Sequence, residues 1–398
     1  MGGKIKYFLA AILSSALSGC IEQLDPDRLT FDDFLVVEAL ITDELIQQEV
    51  KLSRTQAINI DSIFTYETGA TVWVENQAGE RFDFSEGQDG KYLSVAPFAV
   101  SIDDELQLFI NTRNGRSYES NVVSVQATSP IDSIYAEFSS EPMVTNLFAG
   151  RFNFFIDAKN NTIQNRYLRW SVNYTYQFSV RTPSRWLFID NEFITRERGG
   201  ANDSLQVEFC WRSENIDELN LEQLLVPEAG LEKLPIFNFH SEEGLMKKGF
   251  NIEIKMYALS EASYNFWNEI NKTSQDQGSF ADTQPGSIIG NMRSITNPAE
   301  TVLGFFEAAQ VRSVRRQFKR EEFEDVGFRV IRTNLIECFG VDSLVSSNTV
   351  EAVDSTLTAL GDDWVLAYFG TGAAFYFPRN CADCTVYGTN QKPDFWTE

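Results

Sequence analysis

The feature that most constrains the fold is an apolar alternation of period two that begins at Phe34 and recurs for almost a hundred residues. Leu35-Val-Val-Glu-Ala-Leu-Ile41 reads as a buried strand, and Val50-Lys-Leu52-Ser-Arg54 places alternate side chains on opposite faces. Ala70-Thr-Val72-Trp73-Val74-Glu75 is followed by a turn over residues 76–79 and by Arg81-Phe82-Asp83-Phe84. Tyr92 and Leu93, Leu106-Gln-Leu108-Phe-Ile110 and Val122, Val123 and Val125 complete the set before Pro130. Between Ile110 and Tyr118, Asn114-Gly115 predicts a type I′ hairpin, in which both central residues need positive φ. About seven short strands with regular turns and no convincing helix predict an immunoglobulin-like β-sandwich over residues 34–128.

Residues 129–398 predict a larger β-rich domain with a few inserted helices. Arg151–Ile156, Tyr167–Tyr176, Val207–Trp211 and Ile252–Tyr257 read as strands, and Ile216–Leu225 as a polar loop that could hold a short helix. A helix is expected near 260–273. Ser260 can cap it, and Tyr264, Trp267 and Ile270 share one face, a pattern read here as core packing. Val302–Phe306 resumes a strand, with Gly304 marking a bulge or a close backbone approach. Aromatic residues make up 13% of the chain, 32 of them Phe, which suits strands better than helices. The whole is mainly β.

The first residues predict a removable leader. Lys4 and Lys6, the apolar run Tyr7–Leu13 and Leu17-Ser18-Gly19-Cys20 make a signal peptide over 1–19 ending in a lipobox. On this reading Cys20 carries a diacylglyceryl group and becomes the mature N-terminus; an ordinary leader with a chance cysteine is the alternative. Residues 20–33, acidic and containing Pro26, are an expected solvated tether. They resemble the export signal of surface lipoproteins, so the outer face of an outer membrane is expected, with the periplasmic face as the alternative. No other apolar stretch is long enough to span a bilayer, which leaves the lipid as the expected membrane attachment.

A formal charge of −24 argues against nucleic acid or anionic lipid as the main partner. Arg312, Arg315, Arg316, Lys319 and Arg320 form the one basic run, expected as a solvated or internally ion-paired face, with docking of an acidic loop as the rival. Beyond Cys20 the cysteines are Cys210, Cys338, Cys381 and Cys384. An even count in an exported chain predicts two disulfides, with three connectivities open; a zinc site and a redox Cys381-Ala-Asp-Cys384 are the rivals.

Catalytic patterns are missing. His240 is the only histidine, in a context that suggests a loop or capping residue, and no nucleophile elbow, zinc-protease helix or phosphate loop is present. Asp103-Asp104-Glu105, Glu321-Glu322 and Asp362-Asp363 are adjacent acids of the kind expected by chance among 57. The expectation is a protein that is not an enzyme and has no cofactor. Trp73, Trp186 and Trp364 are the candidate aromatic platforms should it bind a glycan, peptide or chelated metal, Trp186 being read as part of an exposed turn.

Several motifs together resemble the domain of unknown function 4249 family of Bacteroidota lipoproteins. They are Leu35–Asp43, Leu259-Ser-Glu-Ala-Ser-Tyr-Asn-Phe-Trp267, Gly278–Pro285, Gly290-Asn291, Asn297–Phe306, Cys381-Ala-Asp-Cys384, Gly388-Thr-Asn390 and Lys392-Pro-Asp-Phe-Trp396. The resemblance implies an outer-membrane lipoprotein associated with a TonB-dependent receptor or similar β-barrel, assisting uptake or assembly. It carries over no catalytic residue. Pro285, Pro393, Gly290 and Gly304 look architectural.

Overall fold

The computed structural model describes residues 33–55, 65–140, 149–159, 165–196, 203–226, 229–275, 288, 290–328, 338, 343–370 and 372–397. The expected leader, Cys20 and nearly all of the tether lie outside them, as does Gly278–Pro285. Strands β1 (Leu35–Thr42), β2 (Glu49–Arg54), β3 (Thr65–Tyr66), β4 (Thr71–Asn76), β5 (Arg81–Glu86), β6 (Lys91–Ser94), β7 (Glu105–Asn111), β8 (Ser117–Ser120) and β9 (Val123–Ser124) come first. Then come β10 (Ser133–Ser140), β11 (Gly150–Ala158), β12 (Tyr167–Ser179), β13 (Trp186–Ile189), β14 (Glu192–Thr195), β15 (Phe209–Gln223), β16 (Leu231–His240) and β17 (Phe250–Ala258). Helix α1 (Glu261–Gln275) precedes β18 (Met292–Ser294), β19 (Leu303–Ala309), β20 (Val311–Phe318) and β21 (Leu344–Ser346). The chain ends with α2 (Val350–Leu360), β22 (Trp364–Phe369), β23 (Ala374–Pro378) and the short α3 (Arg379–Ala382). The protein is mainly β, as its alternation requires. Among the described residues no helix is long and apolar enough to cross a membrane.

The period-two pattern does in the fold what it predicts. Leu35, Val37, Ala39 and Ile41 of β1 point into one core with Val50, Leu52, Val72, Val74, Leu106, Leu108 and Ile110. The strands run in the order β18-β8-β7-β4-β5-β6-β2-β1-β19, with β3 beside β2 and β9 beside β7. This sheet is not completed within residues 34–128. Strand β19 pairs with β1 in parallel, Val36 opposite Leu303 through Thr42 opposite Ala309, and β18 pairs with β8. A parallel bridge from Gln126, just after β9, to Ala309 ties the β7 side of the path to its β19 end.

The Asn114-Gly115 hairpin joins β7 to β8, but it is not a type I′ turn. Of the two residues only Gly115 has positive φ, at 84°. The amide of Gly115 donates to the Thr112 carbonyl, and that of Thr112 to the Arg116 carbonyl, 2.9 Å each. A turn followed by one left-handed glycine is the longer hairpin connection. The Asn114 side chain instead accepts from the Thr112 hydroxyl at 2.7 Å.

The second region pairs a three-stranded sheet, β10-β11-β16, with a four-stranded one, β15-β12-β17-β20. Their shared core is where the phenylalanines go: Phe154 meets Phe250 and Phe318 at ring centroid separations of 5.1 and 5.2 Å, and Phe152 meets Phe239 at 5.1 Å. The segment from Ile216, expected as a polar loop, is instead the second half of β15 and pairs with β12 as far as Gln223 opposite Tyr167. An edge strand has one neighbour, so its polar side chains stay solvated while its backbone is paired. Helix α1 starts where Ser260 predicts, with Ser260 Oγ accepting from the Ser263 amide at 3.1 Å.

Strands β21, β23 and β22 form a last small sheet, packed on α2 through Val353, Leu366, Ala374 and Tyr376. Two disulfides close the tail: Cys210–Cys384, across 174 residues, and Cys338–Cys381, across 43. The Cys381 and Cys384 thiols therefore bond to other partners and not to each other, which leaves neither the redox pair nor the zinc site standing.

On a chain-entropy basis these bridges stabilise by about 5 and about 4 kcal/mol. Replacing Cys210 and Cys384 together by alanine is thus expected to cost about 1 kcal/mol more in urea unfolding than replacing Cys338 and Cys381. Equal losses would show that loop length does not set their contribution. A pH dependence follows from Tyr174 and Tyr176. Burial, then the Glu214 carboxylate beside them, raises both phenols, Tyr176 to about 12 and Tyr174 further still. Each favours folding while protonated, so that contribution is full below pH 10 and is lost as pH rises through about 12. In Tyr176→Phe the slope of stability against pH should flatten in that window, and an unchanged slope would reject the assignment.

Candidate functional site

The outer face of β1 carries Val36, Glu38 and Leu40, the residues that alternate with its core positions. Strand β19 continues that face with Leu303, Phe305 and Glu307, while its Phe306 and Ala308 point into the core. Helix α1 lies beside it and sets Phe266 against Phe305 at 4.8 Å between ring centroids. Between helix and sheet opens a cleft of about 690 Å³, walled mostly by Val36, Leu40, Phe266, Ile270, Leu303 and Phe305.

Glycines make this geometry possible. Gly304 has φ 90°, and a Cβ there would sit 1.9 Å from the Val37 carbonyl oxygen. A Cβ on Gly290 would in turn meet the Gly304 carbonyl oxygen at 1.5 Å. Three backbone segments are therefore stacked where no side chain fits. Asn291 completes the contact as a substitute strand: its amide donates to the Phe306 carbonyl at 2.7 Å, and its side-chain oxygen accepts from the Phe306 amide at 2.9 Å.

At the inner end of the cleft lies Glu307, only 4% exposed. Arg169 of β12 donates to its Oε1 at 2.5 Å. Its Oε2 accepts from Trp267 Nε1 at 3.1 Å and from the Ser263 hydroxyl, both on α1. The Arg169 guanidinium also lies over the rings of Trp267 and Tyr257, 4.9 and 5.2 Å from their centroids. One buried carboxylate thus receives donors from a strand and a helix and ties both to β19. At the rim Glu38 and Lys51 pair at 3.4 Å. The site is an apolar trough with the Arg169–Glu307 ion pair at its inner end and the Glu38–Lys51 pair at its rim.

The residues singled out from sequence lie elsewhere. Trp73 stacks on Phe109 and under Arg81. Trp186 is not in an exposed turn but opens β13, with its ring edge-on to Phe369 at 5.6 Å; Trp364 packs against the same small core. None of the three is a free platform. His240 ends β16 and accepts from the Glu242 amide at 3.3 Å, as a capping residue does. Asp104 accepts from the Ser101 amide in a turn. Of the basic run, Arg312 pairs with Asp43, Arg315 with Glu253 and Arg316 with Glu322, at 3.1, 2.5 and 2.7 Å. The internally paired reading holds for these three. Arg169 and Glu307 are what sequence reasoning missed. The available signal was Glu307 itself, a lone charge in Leu-Gly-Phe-Phe-Glu-Ala-Ala.

A family model described as "Domain of unknown function (DUF4249)" matches residues 21–315, which include both walls of the cleft and Arg169. No curated protein matches the chain. Among solved structures, one described as a "putative carbohydrate binding protein from Bacteroides uniformis ATCC 8492" shares 10% identity, over 57% of this chain and 91% of that one, at a TM-score of 0.12. Another, the "Biofilm associated protein - B domain", shares 6% over 71% and 85%, at 0.10. Likeness at that level carries no argument about fold or ligand.

Removing one member of a buried ion pair strands the other and costs about 3–5 kcal/mol. Arg169→Ala and Glu307→Ala are each expected to fall in that range in urea unfolding. The double variant should cost clearly less than their sum, because each single change already breaks the contact. Strict additivity would show that the pair does not couple α1 and β12 to β19.

Proposed function

The chain belongs to the family described as a domain of unknown function (DUF4249), and from that premise we propose that it is a binding protein rather than an enzyme. It is tethered by a lipid on Cys20 to the outer membrane, facing the surface, and holds in the α1 cleft a ligand with an apolar body. The cleft is the observation that carries this reading. Its volume lies within the range of small-molecule sites and its walls are mostly apolar, with charged groups paired at the inner end and at the rim. The Arg169 guanidinium at the inner end is held by Glu307, so the apolar walls carry the recognition. The lipidated leader read from the first twenty residues supports the location.

A second reading is docking on a TonB-dependent receptor or a similar β-barrel, with the bound ligand handed across. What favours it is an apolar row on the last small sheet. Val345 stands opposite Phe375, and Phe375 opposite Tyr368; Val345 and Tyr368 are 58% and 56% exposed. Contiguous exposed apolar surface of this kind is commonly covered by a partner.

The mature chain with Cys20→Ser, titrated with the fluorescent fatty acid cis-parinaric acid, tests the first reading. Saturable binding is expected, and Leu40→Asp should abolish it by placing a charge in the trough. Absence of binding, or binding indifferent to Leu40→Asp, would count against the cleft. For the second, the tagged lipoprotein should bring down a β-barrel in stoichiometric yield from native membranes, and recovery of the lipoprotein alone would sink the docking idea.

A further inference from the structure

A second concavity, of about 450 Å³, lies at one end of the four-stranded sheet. The β17–β20 register ends with Phe250 opposite Phe318, and β12 places Tyr176 opposite Phe250 and Gln177 opposite Trp211. The residues that adjoin these pairs line the concavity at that end of the sheet. They are Lys247 and Lys248 before β17, and Lys319 and Arg320 after β20.

The C-terminal tail closes the end as a strap. Cys384 is bonded to Cys210 on β15, Thr389 bridges to Trp211, and the Thr397 amide donates to Gln317 Oε1 of β20 at 2.7 Å. The strap thus crosses from one edge strand to the other. It brings Lys392 to the pocket and seats Trp396 over Gly249, where a Cβ would lie 3.3 Å from the indole.

The charge there is out of character with the chain. With 33 Lys and Arg in 398 residues, twelve lining residues would by chance include about one. Here there are five, and Glu321 is the single carboxylate among the described residues of the lining. Glu321 is already engaged by Arg320 at 2.6 Å. Elsewhere the arginines of the same basic run find carboxylates, Arg315 across the strand pair, Arg316 in the turn after β20 and Arg312 beyond the end of β1. Lys247 forms no salt bridge among the described residues.

We propose that this strapped pocket is a binding site for a phosphate- or sulfate-bearing ligand. Clustered ammonium groups in a concave wall focus a positive potential. They accept a multiply charged anion as point charges rather than as a planar fork, which suits tetrahedral oxyanions of varied orientation. The net charge of −24 repels anions at long range, so the site works within about one Debye length, ~8 Å at physiological ionic strength, and its affinity should fall as salt rises.

Two arms separate a soluble source of the anion from a lipid headgroup, using the mature chain with Cys20→Ser. One is calorimetric titration with inorganic pyrophosphate. The other is co-sedimentation with phosphatidylcholine vesicles, with and without phosphatidic acid. Salt-sensitive binding in either arm supports the site if it weakens by about tenfold or more in the doubly substituted Lys247→Gln, Lys392→Gln protein. It should persist in the corresponding Lys→Arg protein and in Lys91→Gln. Binding of pyrophosphate assigns a soluble ligand, and binding of acidic vesicles alone assigns a headgroup. Unchanged thermal melts show that each variant is folded, and Lys248→Gln serves in place of any that is not. No binding in both arms, or binding indifferent to the loss of these lysines, overturns the proposal.

Discussion

The parallel pairing of β1 with β19 is the constraint on which the rest of the molecule hangs. Seven consecutive residues are in register, from Val36 with Leu303 to Thr42 with Ala309, yet more than 260 residues separate the two strands in the chain. A contact so distant carries a loop-closure cost before it gains any hydrogen bond. That cost grows only logarithmically with length, and everything between the strands folds into sheets that hold their ends near one another. The first sheet therefore draws two of its strands, β18 and β19, from beyond residue 128.

The pairing also explains why the cleft is where it is. A central parallel strand would be covered on both faces. On β19 one face enters the core through Phe306 and Ala308, and the other is covered only in part, by α1. Where the helix stops covering β1, Val36 and Leu40 line the trough. Glu307 is the price of fixing that helix. Its carboxylate is costly to bury, and a hydrophobic contact could be as stable, but only a carboxylate with donors on Arg169, Ser263 and Trp267 specifies one placement of α1 against β12 and β19. Asp43 does similar work at the neighbouring seam, accepting from the Val311 amide at 2.8 Å and pairing with Arg312.

How much of this was legible depends on whether the cause was local. Leu35, Val37, Ala39 and Ile41 declare their buried face by alternation alone, and Ser260 declares the start of α1 by its hydroxyl. Gly304 announced a close approach, although that the approaching group is the Val37 carbonyl follows only from the parallel pairing. Asn114-Gly115 correctly predicted a hairpin and the wrong turn, because two residues do not reveal that Thr112 and Arg116 close the loop. Ile216 and the residues after it looked like loop since an edge strand is stabilised by its one neighbour rather than by a side-chain pattern. Trp186 seemed exposed because Phe369, its packing partner, lies 183 residues away. Neither Arg169 nor Lys247 could be assigned, as each acquires its meaning from residues on other strands.

The strap shows how one covalent choice serves two ends of the sheet. Had Cys381 bonded Cys384, the tail would carry a small local loop and only the Thr389–Trp211 bridge would hold it to β15. Bonding Cys384 to Cys210 instead fixes the strap at one edge, so that hydrogen bonds from Thr397 to Gln317 suffice to hold the other. Ordering a lysine side chain costs up to about 2 kcal/mol of rotamer entropy, and like charges resist being gathered. A flexible tail would leave Lys392 free to move away from Lys247, Lys248 and Lys319. Pinned at both edges of a sheet whose core is an array of buried phenylalanines, its backbone has no such freedom.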